Sequence, residues 1–173
     1  MSTIRTIVVP HDFSDYAEAA LNVALELTRA LGAELHLLHV FQPPAYAYGS
    51  ELYAGGSIHG LLDDHVALRR TSERRLADIA ARYSEPTHPI RTHLVEGTAV
   101  AESIDAEATR LAADLIILGT HGRTGLAHLL LGSVAEATLR HAPCPVLTVP
   151  PQRRRVVETL GTHASRESAP RAL

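Results

Sequence analysis

The stretch ADLIILGT (Ala113–Thr120) contains an unbroken apolar run, Leu115 to Leu118. A strand with one wet face alternates apolar and polar residues, so a strand apolar at every position needs cover on both faces. Parallel sheets with helices above and below supply that cover. Four other short segments read as strands: IRTIVVP (Ile4–Pro10), AELHLLHV (Ala33–Val40), PIRTHLVEG (Pro89–Gly97) and PCPVLTVP (Pro143–Pro150). Helical period fills the stretches between them. After the first strand Ala17, Ala20, Leu21, Ala24, Leu27 and Leu31 recur at helical spacing; Ser14 or Asp15 can cap the start and Gly32 stops the run. Residues 59–83, residues from Gly97-Thr98 to about Leu111, and Ser133 to His141 read as three more helices. This alternation predicts an α/β domain over residues 1–150, an open, doubly wound, mostly parallel five-stranded sheet with helices on both faces.

Composition agrees with a covered aliphatic sheet. Apolar residues make up 46% of the 173, yet aromatics only 4%, so Ala, Leu, Val and Ile must build the interior. Two segments stand outside the alternation. Residues 41–58, FQPPAYAYGSELYAGGSI, are rich in Pro, Gly and Tyr; they read as a long connection, either a binding loop or lid or a disordered link. Residues 151–173 carry five Arg against two Glu without a sustained apolar period and read as a flexible basic tail. Arg69, Arg70, Arg74 and Arg75 on the second helix read as a solvated face.

Several function classes are set aside by what the chain contains. A net charge of −3 gives no electrostatic footprint for nucleic acid. No run approaches the roughly 20 apolar residues of a membrane span, and MSTIRTIVVP has no signal-peptide apolar core. The single cysteine, Cys144, permits no intrachain disulfide and suits a reducing cytoplasm; between two prolines at a strand entrance it reads as buried and inert. There is no lysine at all. That excludes a Gly-Lys-Ser/Thr phosphate loop and a pyridoxal Schiff base. His36 and His39 sit at odd spacing on one strand and so project to opposite faces, and His128 and His141 lack any zinc-site context.

In an open α/β sheet, ligands bind at the carboxyl ends of the strands where strand order reverses. Two segments carry ligand-suited chemistry at such ends: Pro10-His11-Asp12 after strand one, and GTHGRTGLAHLLLGS (Gly119–Ser133) after strand four. Glycines let backbone N–H groups approach an anion, and Gly132-Ser133 opens a helix whose free N–H groups and dipole favour phosphate. Ser133 could add a hydroxyl. Alternatively, Ser133-Val134-Ala135-Glu136 is a capping box that serves only its own helix. Arg123, inside the loop, could screen phosphate charge or point to solvent.

The spacing Gly119-x2-Gly122-x9-Gly132-Ser133 resembles the nucleotide-binding signature of the universal stress protein family, G-x2-G-x9-G-(S/T). TIVVPHDFSDYAEAAL (Thr6–Leu21) is similar to that family's first strand and turn, and Ala113–Val149 is similar to its carboxyl half nearly end to end. The resemblance implies a fold of the adenine nucleotide alpha-hydrolase-like kind and a site for ATP, ADP or AMP with magnesium bridging the phosphates. By that resemblance Asp12, in the Pro10-His11-Asp12 turn, contacts the nucleoside, and the Val40 backbone reads adenine. Gly119, His121 and Gly122 flank ribose and phosphates, beside Leu118 at the strand end. Gly132, Ser133 and Val134 hold phosphates. His11 departs from the small or β-branched residue usual there and could alter the pocket entrance.

The resemblance also favours a homodimer, or a tetramer built from it, through the exposed edge strand at 143–149. Its implied role is a regulatory module that responds to stress through nucleotide-dependent conformation or partner binding. A slow ATPase is the alternative, with His121 or Asp12 orienting water, but no base–orienter pairing is legible. The loops of pyrophosphatase-type ATP enzymes and of nucleotidyltransferases are absent. A nucleotide-free interaction protein would not require the glycine signature.

Overall fold

The computed structural model describes residues 3–43, 58–122 and 131–150. In chain order these form β1 (Thr6–Pro10), α1 (Asp15–Leu31), β2 (Glu34–Phe41), α2 (Ile58–Tyr83), β3 (Ile90–Glu96), α3 (Val100–Arg110), β4 (Leu115–Gly119), α4 (Ser133–His141) and β5 (Val146–Val149). The five strands make one sheet in the order β3-β2-β1-β4-β5. Every pairing is parallel: Ile7 lies opposite Leu35 and Leu115, Leu38 opposite His93, and Ile117 opposite Leu147. The expected doubly wound sheet is therefore observed. The predicted strands run a residue or more longer than the paired ones at several ends, because pairing stops where the neighbouring strand stops.

Two cores lie on the two faces. Ile7, Val9, Leu35, Leu37 and Ile117 pack under α1 and α2; Val8, Leu38, Val40, Ile116 and Leu118 pack under α3 and α4. Central strands thus alternate between two dry faces, which is why their sequences read as continuous apolar runs. Alanines 17, 20 and 24 are buried on α1 and let it lie close to the sheet. Ser14 caps this helix, its Oγ accepting from the Ala17 amide at 3.3 Å. Gly32 closes it at φ 64°, a conformation that costs glycine little. The Asp114 carboxylate accepts from the amides of Arg5 and Thr6 at 2.8 and 3.0 Å and pins the start of β1 to the start of β4.

β5 is an edge strand, with Leu147 38% exposed. Cys144 is half-buried, and burial pushes its thiol up from the ordinary value. Arg69, Arg70, Arg74 and Arg75 are all exposed. Among the described residues no helix is long and apolar enough to cross a membrane. Most of the 41–58 connection and all of the 151–173 tail lie outside the described residues.

Candidate functional site

The sheet reverses direction of winding between β1 and β4, and a cleft of about 270 Å³ opens at their carboxyl ends. Of the sequence-selected residues, Pro10, His11, Asp12, Val40, Leu118, Gly119, His121, Gly122, Gly132, Ser133 and Val134 all line it. Arg123 lies outside the described residues.

The β1–α1 turn forms one wall. Its first residue is fixed by a bond from the His11 amide to the Leu38 carbonyl at 2.7 Å. Asp12 Oδ1 accepts from the Ser14 amide at 3.1 Å and from the Ser14 hydroxyl at 2.6 Å. Phe13 sits in the left-handed region at φ 67°, which costs a residue with a Cβ about 1–2 kcal/mol. Its ring packs on His39 at 4.4 Å, with the Arg75 guanidinium 4.0 Å above it. His11 Nδ1 accepts from the Phe13 amide at 3.1 Å, which leaves the neutral ring's proton on Nε2, 3.5 Å from Glu18 Oε2. The imidazole is buried, and burial pulls its pKa down although Glu18 and Asp12 oppose the shift. His11 thus lines the cleft with its Nε2 turned toward Glu18 of α1.

The glycine segment forms the opposite wall. A Cβ on Gly119 would stand 2.8 Å from the Tyr16 carbonyl group, so β4 ends flush against the first turn of α1. A Cβ on Gly122 would stand 2.8 Å from Asp12 Oδ2. These two glycines thus first make room for the protein itself, drawing the two walls together. The His121 ring lies 5.3 Å from that of Tyr16, with Nδ1 3.1 Å from Thr120 Oγ1.

Ser133 resolves one of the sequence alternatives. The N-cap of α4 is Gly132, no side chain caps the helix, and Glu136 pairs with Arg140 at 2.7 Å. The capping box does not form, because Ser133 is already the first helical residue. The first-turn N–H groups of α4 and the positive dipole end therefore open onto the cleft.

The far end of the cleft is apolar. Val100 and Ile104 of α3 face it together with Val40 and Leu118, and Gln42 rims it, its amide donating to the Thr98 carbonyl at 3.1 Å. Sequence reading missed Val100, Ile104 and Gln42. The i, i+4 spacing of the first two marks a buried stripe, but nothing local separates a core stripe from a cleft wall. The site thus has an anion-suited pole, an apolar pole and the Asp12 carboxylate beside Gly122. A carboxylate repels phosphate and accepts from hydroxyls, so it suits a sugar better than an anion.

A second polar cluster lies under α3. His36 and His39 do project to opposite faces. His36 Nδ1 lies 2.9 Å from His93 Nε2, and His93 Nδ1 lies 3.2 Å from Glu107 Oε1, which Arg110 holds at 2.5 Å. Burial lowers the pKa of both histidines, and the Arg110 guanidinium lowers that of Glu107. Among the described residues no three His, Cys, Asp or Glu side chains are grouped to hold a metal ion.

An open parallel sheet with helices on both faces and a cleft at its switch point is an α/β domain of the doubly wound class. Within that class the chain belongs to the universal stress protein family, whose sequence model matches residues 3–150. It is 32% identical over 145 residues to universal stress protein MJ0531 of Methanocaldococcus jannaschii, a match covering 84% of this chain and 81% of that one. Among solved structures, hypothetical protein MJ0577 superposes with a TM-score of 0.72 at 27% identity, over 88% of this chain and 99% of that one. A universal stress protein in complex with cAMP superposes with a TM-score of 0.55 at 25% identity, over 86% and 98%.

Proposed function

We propose that the cleft binds an adenine nucleotide, ATP or its di- and monophosphate relatives, and that occupancy sets the conformation or partner affinity of a cytoplasmic stress-response protein. The observation that carries this reading is the placement of Asp12 across one cleft from the uncapped N-terminus of α4. Phosphates sit at the helix end, held by the amides of Ser133 and Val134 and by the Ser133 hydroxyl. The ribose hydroxyls donate to Asp12. The base fills the apolar pole by Val40, Val100 and Ile104. The complex of a related protein with cAMP supports the choice of an adenine nucleotide. Magnesium would enter with the phosphates.

The test is isothermal titration with ATP, ADP and AMP, with and without magnesium. A saturable signal with a Kd below about 1 mM is expected; that limit corresponds to only about −4 kcal/mol. No heat well above that concentration would remove the reading. Multiple turnovers in a product assay, lost on His121→Ala, would move it to a slow ATPase.

We further assign the β5 edge to a homodimer contact, from which a tetramer can be built. Its edge position and the exposed Leu147 support this. Sedimentation should give a dimer mass that Leu147→Arg reduces to that of a monomer.

A further inference from the structure

We propose that His39 is a positioning residue for the cleft: its imidazole holds the β1–α1 turn from the α1 side of the sheet, and that hold aims Asp12 at the ligand. The inference rests on the nucleotide reading above.

His39 is buried, and strand alternation puts its ring with Leu35 and Leu37 on the α1–α2 face, against Phe13. Its Nδ1 lies 2.7 Å from the His11 carbonyl oxygen. A carbonyl only accepts, so Nδ1 must carry the proton and donate. The tautomer is thus fixed by the partner. The amide of the same residue, His11, donates to the Leu38 carbonyl. Adjacent residues of β2 therefore grip His11 at both its N–H and its C=O.

Other hydrogen bonds lie within the turn. Phe13 donates to the His11 ring, and Ser14 donates twice to Asp12. Those bonds shape the turn but do not anchor it to the sheet. Phe13 in the left-handed region adds strain that surrounding contacts must hold in place. Releasing the His11 carbonyl lets the turn relax, and the Asp12 carboxylate moves with it, away from Gly122 and the cleft.

Two substitutions separate this role from plain packing. His39→Asn keeps a donor at the position of Nδ1 but loses the ring packed against Phe13. His39→Leu keeps apolar bulk but loses the donor. In nucleotide-free protein, hydrogen exchange of the Phe13 and Ser14 amides should accelerate about tenfold in His39→Leu relative to Ile116 of β4, as expected for one lost hydrogen bond. ATP affinity should fall by a similar factor, and His39→Asn should recover most of both losses even where its thermal stability is the lower. Unchanged exchange at Phe13 and Ser14 in His39→Leu would overturn the proposal. So would ATP affinities that follow thermal stability rather than the donor. If the wild-type protein binds no nucleotide, the functional reading falls, and the exchange comparison alone decides whether His39 holds the turn.

Discussion

The amide of Gly132 donates to the carbonyl of Thr120 at 2.7 Å, and that bond sets the first turn of α4 beside the end of β4. Thr120 is itself tied back to β5, its amide donating to the Val149 carbonyl at 3.0 Å. A Cβ on residue 132 would lie 3.3 Å from the Thr120 oxygen and 3.4 Å from the His121 Cα. Backbone meets backbone here with only a glycine's clearance. The helix end that faces the cleft is therefore placed by main chain.

Gly132→Val should lose nucleotide affinity by more than tenfold while remaining folded. The added methyls crowd the cleft and push the α4 amides from their places, an overpacking cost of about 1–3 kcal/mol in stability. Titration calorimetry and a thermal melt on the same sample check both halves. Wild-type affinity in a folded Gly132→Val protein would refute the assignment of phosphates to this helix end.

Gly119 and Gly122 should respond differently to alanine. At 119 the new methyl meets the Tyr16 backbone at 2.8 Å, which cannot step aside without moving α1. Urea denaturation should show a loss of about 1–3 kcal/mol. At 122 the methyl meets only the Asp12 carboxylate at 2.8 Å. Stability should hold while nucleotide affinity falls, because Asp12 is pushed aside.

At Phe13 the usual order of alanine and glycine should invert. Alanine keeps the cost of φ 67° and loses the ring packed on His39 and under Arg75. Glycine loses the same ring but releases the left-handed strain, worth about 1–2 kcal/mol. Phe13→Gly should therefore be the more stable variant in urea, and a Phe13→Ala protein that outlasts it would contradict the strain.

Acid should weaken the fold in two windows. His36 and His93 titrate below their ordinary 6.5 because burial penalises the charged ring, and buried His11 shares that direction. The unfolded chain then binds protons first, so stability is full above pH 6.5 and falls as pH drops toward the lowered folded values. Glu107 titrates below 4.5 under the influence of Arg110, and its contribution is lost only below that pH. Glu34, 3.5 Å from His36, and Arg91 also face this cluster. Urea midpoints should hold from pH 8 to 7, then decline, and His36→Leu should flatten the decline between 6.5 and 5. A wild-type midpoint constant across that interval would remove the histidines from this role.

The element order, the parallel sheet and the two segments that wall the cleft were legible in the chain. Leu115–Leu118 demanded cover on both faces, and the glycine spacing after it marked the loop. What the glycines stand against was not legible. Spacing suggested close approach to a ligand, whereas the missing side chains at 119 and 122 leave room for Tyr16 and Asp12. The S-x-x-E at Ser133 satisfied a capping rule that the helix start did not use, because Gly132 took the cap position.

Periodicity is local, and local sequence by itself determined where strands and helices form, that both sheet faces are dry, and that phosphate could not be held through lysine. Only the tertiary structure brought His39 of β2 to the His11 carbonyl, His36 to His93 across two strands, and Val100 and Ile104 of α3 to the apolar pole. Those contacts join residues far apart in sequence. Their geometry comes from strand register and helix packing, which side-chain spacing along one segment does not encode.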